Sequence, residues 1–122
     1  MGAINKILIA EDDMIIQMFL NRALVSAGYT IVGEARNSEA VLELAKEKQP
    51  DLILLDIGLD GAKDGIDTAH ELNESSRIPF LFLTGNSDES TIERAKKTGP
   101  IGFVFKPIDE VRLVDVIKSV EI

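Results

Sequence analysis

Acidic side chains directly follow two short apolar runs of this sequence, and a hydroxyl and an amine follow two others. Glu11–Asp13 come after the first run, Asp56 after the third, Thr84 after the fourth and Lys106 after the fifth. If the runs are parallel strands, these groups meet at one edge of a sheet, where ligands of open α/β proteins bind. The sequence therefore predicts a single acidic site that also holds a hydroxyl and an ammonium.

Clustered carboxylates repel one another, so the predicted site requires a compensating cation. Oxygen ligands select a hard cation, Mg²⁺ or Mn²⁺, over zinc. A metal ion, the Lys106 amine and the Thr84 hydroxyl around one carboxylate can hold the three oxygens of a phosphoryl group. Asp56 ends the run LILLD and is the best candidate for a carboxylate nucleophile in phosphoryl transfer.

Each of these residues has an ordinary structural interpretation when it is considered alone. Glu11–Asp13 could form the acidic first turn of a helix, with Asp13 as its N-cap. Asp56 could cap a turn, Thr84 could bond to backbone, and Lys106 could be a solvated lysine at a strand end. The functional interpretation depends on all of them occurring together at the ends of successive apolar runs.

Five apolar runs are candidates for the strands that position these groups. They are short and mostly unbroken, which is typical of strands buried on both faces in a parallel sheet covered by helices. The runs are Ile7–Ala10, Thr30–Val32, Leu52–Leu55, Phe80–Leu83 and Ile101–Phe105.

Stretches with helical spacing alternate with these runs. The apolar stripes are Ile16/Leu20/Ala23/Ala27, Ala40/Val41/Leu44/Ala45, Ile66/Ala69/Leu72 and Leu113/Val114/Ile117. Gly28 is the predicted stop of the first helix. Asn37 or Ser38 would start the second, and the last would be entered from Asp109. Segment Asp88–Lys97 has few apolar residues and is expected to form a weakly buried, mobile helix. The βα order repeated five times predicts one three-layer α/β domain over residues 1–122.

Composition excludes several classes of protein. The chain has 122 residues, a net charge of −8, no Cys and one His. Disulfide scaffolds, thiolate zinc sites and cysteine nucleophiles are excluded, and one His argues against a catalytic triad. His70 is interpreted as a helix-surface residue without function. The acidic balance argues against nucleic-acid binding. The chain has no apolar run of the ~18 residues that membrane insertion needs and no signal peptide, so a cytoplasmic location is expected.

The segments ILIAEDD, DLILLDIGL, FLFLTG and FVFKP, in this order, resemble the receiver domain of two-component response regulators. The resemblance covers essentially the whole chain, and the four motifs together are far more specific than any one of them. It implies a flavodoxin-like (βα)5 fold with a five-stranded parallel sheet of order 2-1-3-4-5.

The resemblance implies roles for the acidic residues. Asp56 is expected to be the phosphoacceptor and a ligand of Mg²⁺ or Mn²⁺. Asp12 is expected to bind the metal directly, Glu11 mainly through a water, and Gly58 through its backbone carbonyl.

The resemblance also implies roles around the incoming phosphoryl group. Lys106 is expected to bind one phosphoryl oxygen, and Thr84 to hydrogen-bond another after phosphorylation. Gly85 leaves room beside the phosphoryl group, Phe103 stands at the aromatic switch position, and Pro107 is expected to follow a cis peptide bond.

Some positions depart from the family pattern. The loop IGLDGAKDGID lacks the usual Met-Pro, and Gly65 lies 65 − 56 = 9 residues after Asp56 instead of eight. The loop is therefore one residue longer than usual. Gly58 and Asn86 occupy the two positions that tune hydrolysis of the phosphorylated form, and Phe103 lacks the hydroxyl of a tyrosine.

The function that the resemblance implies is a phosphoaccepting signalling switch, which catalyses only its own phosphorylation and dephosphorylation. The donor would be a histidine kinase or a histidine phosphotransfer protein. The chain is expected to be either a stand-alone regulator or a receiver domain excised from a longer protein, and the downstream partner or output domain stays open. One alternative is a receiver-fold binding module that works without phosphorylation. The other is a small phosphatase with an aspartyl nucleophile, which would need an Asp where Gly58 stands.

Overall fold

The computed structural model describes residues 3–59, 61–85 and 88–121. Strands and helices alternate in this part of the chain. The elements are β1 (Lys6–Ala10), α1 (Met14–Ser26), β2 (Thr30–Ala35), α2 (Ser38–Lys48), β3 (Leu52–Asp56), α3 (Gly65–Ser75), β4 (Phe80–Thr84), α4 (Glu89–Lys96), β5 (Gly102–Phe105) and α5 (Glu110–Val120).

The strands form one parallel sheet of order β2-β1-β3-β4-β5, which confirms the predicted fold class. The order changes direction between β1 and β3, and ligands of such sheets bind beyond the strand ends at this point. β3 is the central strand, and all five of its residues are buried. Asp56, the last of them, therefore lies at the centre of the carboxyl edge.

Alternate residues of the inner strands enter two separate cores, because successive strand side chains point to opposite faces. Ile7, Leu54 and Leu83 pack with α1 and α5 on one face. Leu8 and Phe82 pack with α2, α3 and α4 on the other. Each fully buried side chain of this size contributes roughly 1.5–3 kcal/mol to folding. The two cores thus hold the strand ends, and the groups that follow them, in fixed positions.

Strand β2 differs from the sequence-based prediction. It was expected to be a buried run, Thr30–Val32, but it extends to Ala35, its one fully buried residue. It lies at an edge of the sheet, so only one side of its backbone is paired. Its pairing with β1 also shifts register, because Ile7 lies opposite Ile31 whereas Leu8 lies opposite Gly33.

The five helices all begin at a side chain that accepts backbone N–H groups. Asp13 accepts hydrogen bonds from the amides of Ile15 and Ile16 at 2.9 and 3.2 Å, as predicted for an N-cap. The other four N-caps are Asn37, Asp64, Asp88 and Asp109. Each such cap contributes about 1 kcal/mol. In the part of the chain that the structure describes, no helix has the length and apolar character of a membrane span.

Helix α4 has the small buried area that the sequence predicted. Ala95 is the one residue of this helix that is fully buried. The C-terminal end is tied down by Asn73 of α3, whose side-chain amide donates to the carbonyl of Thr98 at 2.8 Å. Helix α4 therefore makes fewer buried contacts with the rest of the domain than the neighbouring α3, which buries five residues.

Candidate functional site

Three carboxylates meet at the carboxyl edge of the sheet. Glu11 and Asp12 follow β1, Asp56 ends β3, and one oxygen of each lies within 4.8 Å of the other two. Glu11 is 1% exposed and Asp56 4% exposed. These residues line a cleft of about 580 Å³ together with Asp13, Ile16, Ile57, Gly58, Thr84, Gly85 and Lys106. All the strand-end groups that the sequence predicted to converge therefore line one cleft.

The cation of the site comes from the end of β5. The Lys106 amine lies 2.8 Å from Oε1 of Glu11 and 3.4 Å from Oδ2 of Asp56. Its backbone N–H donates to the carbonyl of Thr84 at 2.8 Å, which joins the ends of β4 and β5. The Lys106–Pro107 peptide bond is cis, as predicted. Lys106 thus partly offsets the negative charge of two buried carboxylates.

Burial raises the pKa of the Glu11 carboxyl from its ordinary 4.5 to about 7, and the nearby Asp56 adds to this rise. Burial alone would lower the pKa of the Lys106 amine. The nearby carboxylates of Glu11 and Asp56 have the larger combined effect, so the pKa of Lys106 is raised. The Lys106 contact to Oε1 of Glu11 is an ion pair without hydrogen-bond geometry, and this buried oxygen has no hydrogen-bond partner. The cleft therefore carries more negative charge than its own groups can compensate.

The raised pKa of Glu11 predicts an unusual dependence of stability on pH. Because the folded-state pKa (about 7) exceeds the ordinary value of 4.5, the folded state binds this proton more tightly than the unfolded state. Without divalent cations, Glu11 should therefore lower the free energy of unfolding as pH rises from 4.5 to 7, by at most about 3 kcal/mol. Urea denaturation in EDTA should show Glu11→Gln gaining stability over the wild type across this range. A difference between the two proteins that does not change with pH would contradict the prediction.

The uncompensated negative charge fits a hard divalent cation. The donors are carboxylate oxygens, which are the ligands that Mg²⁺ prefers, and one of them is buried without a hydrogen-bond partner. No thiolate or imidazole lines the cleft, so the donor set does not favour zinc. The acidic cluster predicted from the sequence is thus suited to magnesium.

The orientation of Asp56 is fixed by the longer loop that follows it. The amide of Gly58 donates to Oδ1 of Asp56 at 2.9 Å. At the far end of the loop, the amide of Gly65 donates to the carbonyl of Ile57 at 2.8 Å. A Cβ on Gly65 would lie 2.2 Å from the Asp56 carbonyl oxygen, so only glycine fits. Gly65 therefore packs against the backbone of Asp56, although it lies nine residues further along the chain.

Two further residues support the acidic pair, and the sequence analysis did not identify either. The side-chain amide of Gln17 donates to the carbonyl of Glu11 at 3.1 Å. The guanidinium of Arg36 donates to the carbonyl of Asp12 at 3.3 Å. Both bonds reach the backbone of the acidic pair from other elements, α1 and the segment after β2. Nothing in the spacing of the sequence indicated either contact.

The predicted switch residue Phe103 lies in a row of aromatic rings. Its ring centroid is 5.7 Å from that of Phe82 and 6.3 Å from that of Phe105, on which it stacks. Phe82 is fully buried and Phe105 is 43% exposed, so Phe103 lies between the core and the surface. A Cβ on Gly85 would lie 3.9 Å from the Lys106 side chain, so the structure leaves room there for a small residue. His70 is exposed on α3, as predicted, and Asn86 lies outside the described residues.

Comparisons with known proteins point to one family. Residues 7–118 match the family model of the response regulator receiver domain. The chain is 36% identical over 117 residues to the transcriptional regulatory protein PdtaR of Mycobacterium tuberculosis, an alignment that covers 96% of this chain and 55% of PdtaR. It is 28% identical over 116 residues to the chemotaxis protein CheY of Thermotoga maritima, covering 94% of this chain and 96% of CheY.

Solved structures show the same likeness. The signal receiver domain of a modulated diguanylate cyclase from Desulfovibrio desulfuricans G20 has a TM-score of 0.88 and 34% sequence identity, with 96% of this chain and 93% of that chain covered. The chain spans about half the length of several curated relatives, with 55%, 46% and 44% of their sequences covered. The likeness to those longer proteins therefore concerns one part of each of them.

Proposed function

Because the chain belongs to the response regulator receiver domains and is a signalling switch of two-component systems, we propose that Asp56 is its phosphoacceptor. The observation that carries the proposal is the position of this carboxylate. Asp56 ends the central strand, lies in a cleft open to solvent, and has two acidic side chains and one lysine as neighbours. The proposal extends to residues 1–122 as one receiver domain.

The cation site and the nucleophile belong to the same cleft. Glu11, Asp12 and Asp56 would hold Mg²⁺ through their carboxylates, Glu11 mainly through a water, and Gly58 would contribute its backbone carbonyl. Mg²⁺, when bound, supplies positive charge that offsets the clustered carboxylates and the phosphoryl oxygens. Mn²⁺ has the same preference for oxygen ligands.

Phosphoryl transfer needs mainly positioning and charge neutralisation. A carboxylate oxygen of Asp56 would form a bond to phosphorus while the P–N bond of a phosphohistidine breaks, and the electron pair of that bond stays on the imidazole nitrogen. The Lys106 amine, which lies 3.4 Å from Oδ2 of Asp56, would bind a phosphoryl oxygen. The Thr84 hydroxyl would donate to another phosphoryl oxygen.

The switching step would follow from these new contacts. Phosphorylation adds charge and acceptor oxygens beside Asp56. Thr84 and Lys106 would close on the oxygens and draw the ends of β4 and β5 together. Phe103 would move inward along the aromatic row, and α4 would shift because Ala95 alone of its residues is fully buried. The result is a shift between two packings of one face of the domain.

The family implies histidine kinases as phosphodonors, and its members are signalling proteins instead of classical enzymes. The donor here would be a histidine kinase or a histidine phosphotransfer protein, and the chain would catalyse only its own phosphorylation and dephosphorylation. The net charge of −8 disfavours direct nucleic-acid binding, and membrane insertion is not part of the proposal. We place the domain in the cytoplasm, because a phosphohistidine donor takes its phosphoryl group from ATP and ATP is available in that compartment.

Intact-mass measurement of the wild-type protein after incubation with acetyl phosphate tests the proposal. With Mg²⁺ present, we expect a gain of one phosphoryl group, about 80 Da. With EDTA in place of Mg²⁺, we expect no gain, because the carboxylates then repel the incoming anion. A lack of any adduct, together with no response to beryllofluoride and Mg²⁺, would instead support a binding module that works without phosphorylation.

A further inference from the structure

Two buried hydroxyl groups join helices α2 and α3 outside the acidic cleft. Ser38 is the first residue of α2 and Thr68 the fourth of α3, and we term them the hydroxyl pair. Oγ1 of Thr68 lies 2.7 Å from Oγ of Ser38 and 2.7 Å from the carbonyl oxygen of Asp64. Among the residues that the structure describes, six polar or charged ones are buried. Three of them line the acidic cleft, and the hydroxyl pair makes up two of the other three.

The hydrogens of the hydroxyl pair can be assigned from the acceptors. A hydroxyl group carries one hydrogen, and a carbonyl oxygen can only accept. Thr68 therefore donates to the carbonyl of Asp64, and Ser38 donates to Thr68. The result is a chain of two hydrogen bonds from the start of α2 to Asp64, the N-cap of α3. Removing the Thr68 hydroxyl would leave the buried Ser38 hydroxyl without this partner.

The start of α3 in turn holds the end of the central strand. Asp64 directly precedes Gly65, whose amide donates to the carbonyl of Ile57 at 2.8 Å. Gly65 also packs so closely on the backbone of Asp56 that a Cβ there would overlap it. A displacement of Asp64 would therefore move Asp56 and the next residues, including Gly58, whose carbonyl would bind the cation.

The residues directly before Ser38 contact the acidic pair at the other side of the cleft. The carbonyl of Ala35 accepts a hydrogen bond from the amide of Glu11 at 3.0 Å. The guanidinium of Arg36 donates to the carbonyl of Asp12 at 3.3 Å. One stretch of four residues after β2 is thus bonded to the acidic pair and, through the hydroxyl pair, to the start of α3.

We propose that Ser38 and Thr68 are positioning residues of the cation site. Their hydrogen-bond chain sets the distance between the two halves of the site, which are the acidic pair after β1 and the Asp56 end of β3. Neither hydroxyl lines the cleft, so the hydroxyl pair acts through the backbone of Asp64 and Gly65. This inference rests on the proposed function, because it concerns the same cation site.

Calorimetric titration of the full chain with Mg²⁺ provides the first test. Thr68→Val keeps the shape of the side chain without its hydroxyl, and it should weaken Mg²⁺ binding by about threefold or more. This loss is smaller than the roughly 10–100-fold that follows removal of a group bonded directly to a metal ligand. Thr68→Ser keeps the hydroxyl and should bind Mg²⁺ like the wild type.

Thr98→Val is the matched control for this titration. Thr98 is also a buried threonine, and its hydroxyl donates to the carbonyl of Ala95 at 2.6 Å. It precedes β5 and so lies toward the edge of the sheet opposite the cleft. An equal loss of affinity in Thr98→Val and Thr68→Val would overturn the proposal. A wild type that binds no Mg²⁺ would overturn the proposed cation site and this inference with it, whereas equal affinities of wild type and Thr68→Val would overturn this inference alone.

The NMR signal of the Gly58 amide provides a second test that needs no metal. This amide donates to Oδ1 of Asp56 at 2.9 Å, so its chemical shift reports the position of the strand end. In EDTA, the signal should move in Thr68→Val and stay in place in Thr68→Ser and Thr98→Val. A loss of stability alone would not move it, because the signal comes from the folded protein. An unchanged Gly58 signal in Thr68→Val would overturn the proposal.

Discussion

Replacing Asp56 with Asn is expected to abolish phosphoryl uptake from acetyl phosphate in the presence of Mg²⁺. The amide has nearly the same shape as the carboxylate, but its oxygen is a poor nucleophile and carries no negative charge. Intact mass should show the phosphoryl adduct in the wild type and none in Asp56→Asn. Asp115→Asn makes the same chemical change at an exposed position of α5 and should be labelled like the wild type.

The Asp56→Asn protein should remain folded, so a loss of labelling can be assigned to chemistry. The asparagine oxygen can still accept the hydrogen bond from the Gly58 amide. Lys106 keeps its ion pair with Glu11 at 2.8 Å. Removing the Asp56 charge also relieves one cause of the raised Glu11 pKa. Full labelling of Asp56→Asn would exclude Asp56 as the phosphoacceptor.

The second large effect is expected at Gly65, where alanine should destabilise the fold by at least about 3 kcal/mol. A Cβ there would lie 2.2 Å from the Asp56 carbonyl oxygen and 2.7 Å from Cα of Ile57. Both are backbone atoms of the strand end, so no side-chain rotation can relieve the overlap. Helix propensity alone would predict the opposite result, because Gly→Ala within a helix stabilises the folded protein by roughly 0.5–1 kcal/mol.

Urea denaturation of Gly65→Ala and Gly58→Ala gives a matched comparison in the same loop. A Cβ on Gly58 would meet Oδ1 of Asp56 at 3.6 Å, which is ordinary van der Waals contact. Gly58→Ala should therefore change the free energy of unfolding by less than about 1 kcal/mol. If Gly65→Ala proved as stable as the wild type, the close packing of α3 against the end of β3 would be contradicted.

The sequence predicted the elements whose signals are local. Asp13 and Asp109 were identified as helix starts because a capping side chain acts within three residues of itself. The strand-end site was predicted because apolar runs and the residues after them are adjacent in the chain. The strand order came from the family resemblance and was confirmed.

Contacts between distant segments could not be predicted in this way. The bonds from Gln17 and Arg36 to the backbone of the acidic pair depend on how α1 and the segment after β2 are oriented, which spacing does not reveal. Similarly, the stripe of Ile16, Leu20 and Ala23 indicated the core side of α1. It gave no sign that Met14, Ile15 and Met18 on the other side would be exposed. The exposure of residues such as Met18 could be read only from the folded structure.

The register shift between β1 and β2 affects how the sheet behaves toward other copies of the chain. Val32 is an extra residue opposite the step from Ile7 to Leu8, and such a bulge increases the local twist of a strand. Twisted edge strands are poor templates for strand addition, and the other edge strand, β5, has only four residues. The twist of β2 and the short length of β5 therefore disfavour the addition of a further strand at either edge of the sheet.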